Sequence, residues 1–173
     1  MSATARRAAL FCLLPAAAIV DVEIRSLREM GEVVREARSG GIAVLASFHD
    51  FQRTPPLSRL WEIANRAADA GADFLKIATL TSSPADVARL LDLLEKKPLP
   101  LAVMGMGPLG MASRVVLATA GSILNYGWLH RPNVSGQWSA LELARLLKTC
   151  QANSTAIPSA TKRPSRVSAA RPS

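Results

Sequence analysis

The sequence has few cysteines and no long uninterrupted hydrophobic segment. Its two cysteines, Cys12 and Cys150, stand far apart and outside any metal-ligand spacing, which excludes a disulfide framework and a zinc site. The apolar stretch between Arg7 and Asp21 contains Pro15 and is too short to cross a membrane. Although it resembles a signal peptide, it runs directly into DVEI. We therefore interpret it as a helix ending near Pro15 and a buried strand, and expect a cytoplasmic protein.

Acidic residues are absent from the last part of the chain. The segment 151–173 contains four basic residues and no acid, and Arg6 and Arg7 lie near the other end. These six residues leave only +2 of the formal net charge of +8 for the body of the chain. A basic balance confined to the termini does not indicate nucleic-acid binding. Because 151–173 is rich in Ser, Ala and Pro without an apolar period, we predict a disordered tail.

The remaining residues, 1–150, form one predicted domain in which strands and helices alternate. The chain is 49% hydrophobic, which is enough for a proper core. The predicted strands are 18–24, 42–48, 73–79, 98–104 and 122–128, each followed by a helical segment. Regular alternation indicates an α/β fold with about five parallel strands. An open doubly wound sheet and part of an eight-stranded barrel both fit, since a full barrel needs about 250 residues.

Helix boundaries are marked by local signals. Ser26 with Glu29 and Ser139 with Glu142 have the spacing of capping boxes. Pro84 is expected in the first turn of a helix, and Gly71 is expected to end the preceding one.

Two reactive side chains lie on neighbouring predicted strands. His49 follows the apolar run IAVLASF, and Lys76 lies within ADFLKIA. Parallel strands joined by a helix place these residues near the same end of one sheet. Burial disfavours a charged ammonium and favours the neutral, nucleophilic amine, while a histidine transfers protons at neutral pH. The plainer alternatives are a hydrogen-bonded core histidine and a lysine that extends to the sheet edge. Asp50 is interpreted as a loop-capping carboxylate, and Glu23 as either a solvated carboxylate or one that supports the site.

Five motifs together resemble the type I 3-dehydroquinate dehydratase family. SFHDFQRTP, GADFLKIA, MGMGPLGMASR, GSILNYG and SGQ occur in the order and at the spacing of that family, and the resemblance covers about residues 6–148. It implies a partial (β/α)8 TIM barrel and a shikimate-pathway lyase. It also implies 3-dehydroquinate as the small-molecule substrate, with no metal or nucleotide cofactor and neither nucleic acid nor membrane as a partner.

The resemblance also implies residue roles. Lys76 would form a Schiff base with the C3 ketone. His49 would take the C2 proton and return one to the departing C1 hydroxyl, a syn elimination of water. Arg114 would hold the substrate carboxylate through its guanidinium fork. Gln137 would bind substrate hydroxyls, and Asn133, standing where some members have a serine, would be a further substrate contact.

Two departures from the family pattern affect this interpretation. The last loop reads Val134–Ser135–Gly136–Gln137 and lacks the proline that commonly precedes the glycine. The family's first three strand–helix units have no counterpart here; they supply a Glu-x-Arg pair, a second arginine and a glutamate that orients the catalytic histidine. The chain is therefore expected to resemble an incomplete barrel with two exposed edges, partnered as a homodimer or by a complementing N-terminal fragment.

Two alternatives to an active dehydratase remain open. A class I aldolase on a similar barrel also uses a Schiff-base lysine, and fold analogy does not separate it from a dehydratase. The other alternative is a non-catalytic remnant that serves only as an association partner.

Overall fold

A computed structural model describes residues 2–95 and 98–151. Within them, two 3-10 helices (Leu14–Ala16 and Ile24–Ser26) accompany the regular elements. The helices are α1 Ala3–Leu13, α2 Gly31–Ser39, α3 Leu57–Asp69, α4 Pro84–Glu95, α5 Gly110–Thr119 and α6 Ala140–Gln151. The strands are β1 Ile19–Glu23, β2 Ala43–Asp50, β3 Phe74–Leu80 and β4 Leu101–Met106. The predicted tail lies outside the described residues, apart from Gln151 at the end of α6.

The four strands form one parallel sheet in the order β1-β2-β3-β4. In its register, Glu23 lies opposite Ser47, and Ser47 lies opposite Lys76. Each consecutive pair of strands is joined through a helix, as the alternation of the sequence predicts.

The two faces of the sheet differ in chemistry because successive side chains of a strand point to opposite sides. One face packs on the helices and is apolar; its core includes Ala46, Leu75, Ile77, Leu101 and Val103 together with Leu60, Ile63, Leu90 and Leu93. The other face carries a small cluster of Ala78, Ala102, Met104 and Met106, against which Leu124, Tyr126 and Val134 pack. The ionisable strand residues 21, 23, 49 and 76 share this second face.

The fifth strand predicted at 122–128 is not formed in the described chain. Ile123 donates one backbone hydrogen bond to the carbonyl of Leu101 at 2.9 Å. The hydroxyl of Ser122 accepts from the N–H of Val103 at 2.8 Å, so a side chain takes the place of a ladder partner. The segment then leaves the sheet, and Trp128 forms only an isolated bridge with Ser139.

The predicted helix signals have mixed outcomes. The capping box at Ser139 is confirmed: its hydroxyl accepts from the N–H of Glu142 at 3.2 Å and donates to the Glu142 carboxylate at 2.6 Å. The box at Ser26 is wrong, because this residue lies buried in a 3-10 helix and α2 begins only at Gly31.

Two other helix boundaries follow the sequence more closely. Helix α1 ends at Leu13, close to Pro15, and Pro84 begins α4, as predicted. Among the described helices, none combines the length and apolar character needed to cross a membrane.

Candidate active site

His49 and Lys76 project from the same face of the sheet. Lys76 on β3 lies opposite Ser47 on β2, and His49 follows two residues later on that strand. Side chains two residues apart in a strand share a face, so the imidazole and the amine emerge on one side. The juxtaposition expected from the strand–helix–strand pattern is therefore present in the fold.

A glutamate holds the imidazole of His49. Its Nδ1 lies 2.8 Å from Oε2 of Glu23, and the two side chains are 28% and 23% exposed. When Nδ1–H donates a hydrogen bond to the carboxylate, Nε2 retains a lone pair and can accept a proton. Of the two interpretations of Glu23, this contact agrees with a carboxylate that supports the site.

The amine of Lys76 lies between a carboxylate and an aromatic ring. Its Nζ donates to Oδ2 of Asp21 at 2.6 Å and lies 5.0 Å from the ring centroid of Tyr126. The lysine side chain is 13% exposed and the aspartate 39%. Sequence reasoning anticipated purely apolar neighbours and missed Asp21. The spacing of Asp21 and Glu23, which places both on one face of β1, was the available signal.

The phenol of Tyr126 belongs to this constellation. Burial raises the pKa of its hydroxyl, and the Asp21 carboxylate raises it too, while the Lys76 ammonium lowers it; the net shift is upward. The ring therefore stays neutral near pH 7 and offers its face to the positive nitrogen.

Arg114 extends from α5 beneath the same segment. It is 4% exposed, and its Nη1 donates to the carbonyl of Tyr126 at 2.9 Å and lies 3.6 Å from the sulfur of Met104. Burial lowers the pKa of this guanidinium. Its Nε has no hydrogen-bond partner in the described part of the chain. Arg114 is thus a buried residue next to the site, rather than an exposed one.

Gln137 and Asn133 lie in the loop before α6 and bind each other. The side-chain oxygen of Gln137 accepts from the backbone N–H of Asn133 at 3.0 Å. Across 2–95 and 98–151, no hydrogen bond joins either residue to His49 or Lys76. The structure therefore brings His49 and Lys76 together but keeps these two predicted substrate contacts within their own loop.

That loop is fixed against the turn after β4. The N–H of Gly107 donates to the carbonyl of Ser135 at 2.9 Å, and the indole of Trp138 donates to the carbonyl of Met111 at 2.8 Å. A Cβ added to Gly110 would lie 2.7 Å from the carbonyl oxygen of Gly136, so both glycines are needed for this close approach.

The loop after His49 begins with a turn. The carboxylate of Asp50 accepts from the N–H groups of Gln52 and Arg53 at 2.9 and 3.0 Å. Its interpretation as a loop-capping residue is confirmed.

A buried carboxylate joins this loop to the one after Lys76. Asp86 accepts from the backbone N–H groups of Ser82 and Ser83, each at 2.9 Å, and from Arg89 at 2.6 Å. Arg89 in turn donates to the carbonyl of Thr54 at 2.5 Å. Burial alone would raise the pKa of Asp86, but these hydrogen bonds and the guanidinium outweigh it and hold the pKa below its usual value.

Comparison of the sequence and the fold with known proteins identifies relatives of this chain. A family model described as "Type I 3-dehydroquinase" matches residues 2–154. The 3-dehydroquinate dehydratase of Methanocella arvoryzae is 36% identical over 125 residues, covering 72% of this chain and 56% of the relative. That of Thermococcus gammatolerans is 41% identical over 128 residues, covering 74% and 59%. The crystal structure of 3-dehydroquinate dehydratase from Geobacillus kaustophilus superimposes with a TM-score of 0.82 at 25% identity, covering 90% of this chain and 63% of that one.

These matches describe an α/β sheet that corresponds to part of a TIM barrel. The chain spans only 56% and 59% of the length of the two curated relatives.

Proposed function

The chain belongs to the type I 3-dehydroquinase family, and from that premise we propose that it acts in the dehydration of 3-dehydroquinate to 3-dehydroshikimate. The observation that carries the proposal is the placement of His49 and Lys76 on one face of the sheet, each in contact with a carboxylate. A nucleophilic amine beside a carboxylate-oriented imidazole suits Schiff-base chemistry coupled to proton transfer.

The first step is condensation at Lys76. The neutral amine attacks the C3 ketone, a carbon–nitrogen bond forms, and the carbonyl oxygen leaves as water. Asp21, 2.6 Å from Nζ, is the nearest acceptor for the proton that the ammonium must release. The resulting iminium is positively charged, and the face of the Tyr126 ring stabilises a cation at that position.

The second step is elimination through His49. The iminium withdraws electrons and makes the C2 proton acidic. Nε2 of His49 removes this proton while Glu23 stabilises the imidazolium that forms. The proton is then given to the C1 hydroxyl, which leaves as water. Hydrolysis of the iminium releases the enone product and restores Lys76.

Substrate binding is assigned to Arg114, Gln137 and Asn133. Within the described residues, Nη1 is the one nitrogen of the Arg114 guanidinium that is hydrogen-bonded, which leaves Nη2 for an incoming carboxylate. Substrate hydroxyls would replace the hydrogen bond that Gln137 and Asn133 now make with each other.

A partner chain is assigned to the free edge of β1. Within 2–95 and 98–151, β1 pairs only with β2, and Asp21 and Glu23 therefore lie at an open edge. The nearby apolar residues Leu13 and Ile19 are 63% and 42% exposed. A second copy or a complementing N-terminal fragment would cover this edge. A chain that stays monomeric by light scattering at all concentrations while turning over at full rate contradicts this assignment.

The activity is tested by following the conjugated enone of the product in the ultraviolet. We expect absorbance to rise with the native chain, to stay flat with Lys76→Ala, and to rise normally with Lys148→Ala, a matched change at an exposed lysine of α6. Turnover by Lys76→Ala would exclude the Schiff-base mechanism. Cleavage of the substrate into two fragments would favour an aldolase, and a folded but inactive native chain would favour a remnant.

A further inference from the structure

A concave groove lies in the helical layer between α2 and α3, lined by none of the active-site residues described above. It is open to solvent and has a volume of about 600 Å³. Five arginines line it: Arg25, Arg28, Arg35, Arg38 and Arg66.

The charge of this arginine groove is not balanced by the protein. Its lining contains one acid, Asp69, which leaves a formal charge of +4. None of the five arginines forms an ion pair with any acidic residue of the described chain. Four arginines elsewhere do form such pairs, namely Arg6, Arg7, Arg59 and Arg89. Five of the nine arginines that form no ion pair in the described chain therefore line this one groove.

The fold makes these side chains converge from three segments. Gly31, Arg35 and Arg38 are spaced four and three residues apart and so follow one face of α2. Arg38 extends across to the turn after α3, where a Cβ added to Gly71 would lie 2.6 Å from its Nη1. Arg66 comes from α3 itself.

The floor of the groove is apolar. Ile24 and Val34 contribute to its lining and are only 6% and 8% exposed, and Leu27 lies beside them. Guanidinium groups and aliphatic side chains in one groove suit a ligand that has both an anionic and an apolar part.

We propose that the arginine groove binds a small organic anion carrying at least two phosphate groups. Guanidinium forks bind phosphate oxygens in pairs, and each such bond is stronger than a neutral hydrogen bond. The volume of the groove lies within the range of about 300–1,000 Å³ that small-molecule sites occupy. The apolar floor receives the organic body of the ligand. This binding does not depend on the dehydratase activity proposed above.

Calorimetric titration of the full chain with ATP and with inorganic triphosphate tests the proposal at a physiological salt concentration. We expect saturable binding of one molecule per chain, with ATP bound more tightly because triphosphate has no organic body. Arg35→Gln/Arg38→Gln should weaken ATP binding by about tenfold or more, since two charged hydrogen-bond donors are lost. Arg131→Gln/Arg145→Gln changes the net charge equally at two exposed arginines that do not line the groove, and should keep the affinity within about twofold.

Three results would overturn the proposal. They are the absence of saturable binding of either probe, equal weakening by the two double variants, and an oligonucleotide that binds without competition from ATP. Equal affinity for ATP and triphosphate would overturn the role of the apolar floor. If Arg35→Gln/Arg38→Gln fails to fold by circular dichroism, Arg25→Gln/Arg28→Gln, which lies outside the α-helices, gives the same comparison.

Discussion

Replacing Glu23 with glutamine measures how much the carboxylate contributes to proton transfer by His49. Glutamine keeps the size of the side chain, and its amide oxygen can still accept a hydrogen bond from Nδ1–H. It carries no charge, however, to stabilise the imidazolium. A hydrogen bond to a charged group contributes about 1.5–3 kcal/mol. Because the two side chains are 28% and 23% exposed, solvent weakens the contact, and the lower end of that range applies. A loss of about 1.4 kcal/mol corresponds to a roughly tenfold slower elimination.

The assay separates elimination from condensation. For Glu23→Gln we expect turnover, followed as enone absorbance, to fall by about tenfold. The fraction of chains trapped on substrate by borohydride should not change, because Lys76 and Asp21 are intact. Glu29→Gln is the matched control, since Glu29 is exposed and its one ion pair among the described residues is with Arg6 at 3.4 Å. Full turnover by Glu23→Gln, or the same effect from Glu29→Gln, would refute the assigned role.

Three further predictions concern residues around the site. Asp86→Asn should lower the free energy of unfolding by about 1–2 kcal/mol at pH 7 in denaturant titrations. Because the pKa of Asp86 is lowered in the folded state, its carboxylate stabilises the native state above the ordinary carboxyl pKa, and this stabilisation is lost as the pH falls through the folded-state pKa. The free energies of unfolding of the native chain and of Asp86→Asn should therefore converge in acid, and divergence would contradict the prediction. Tyr126 is the one tyrosine of the chain, so the absorbance of its phenolate reports its pKa, which should lie above the ordinary tyrosine value. In Lys76→Met this pKa should be higher still, because the ammonium that lowers it is gone. A pKa in Lys76→Met that is equal to or lower than that of the native chain would contradict this. Gly105→Ala should cost about 1–3 kcal/mol, because its methyl overlaps the hydroxyl of Ser113, and an unchanged denaturation midpoint would contradict that packing.

The sequence predicted the sheet where long apolar runs coincided with strand–helix alternation. Four of the predicted strands are present. In each of them an apolar segment is followed by a helix that can cover one face of the sheet. The predicted strand at 122–128 has a similar composition, but the Ser122 hydroxyl binds the backbone of β4 and ends the ladder there. A side chain that replaces a backbone partner is not visible in an apolar pattern.

The candidate site was predicted in part. The shared face of His49 and Lys76 follows from parallel pairing, which the sequence indicates. The contacts of Asp21 and Glu23 depend on β1 lying next to β2 in the observed register, and this requires the fold. The burial of Arg114 likewise depends on the segment around Tyr126 folding over α5, which no local spacing indicates.

The most direct test of the account is chemical trapping at Lys76. The native chain is incubated with 3-dehydroquinate and borohydride, digested, and analysed by mass spectrometry, with Lys148→Arg and Lys76→Arg treated in parallel. We predict one reduced adduct, on the peptide containing Lys76, in the native chain and in Lys148→Arg but not in Lys76→Arg. A folded native chain without an adduct, or an adduct that persists in Lys76→Arg, would contradict the assignment of Lys76 as the Schiff-base residue.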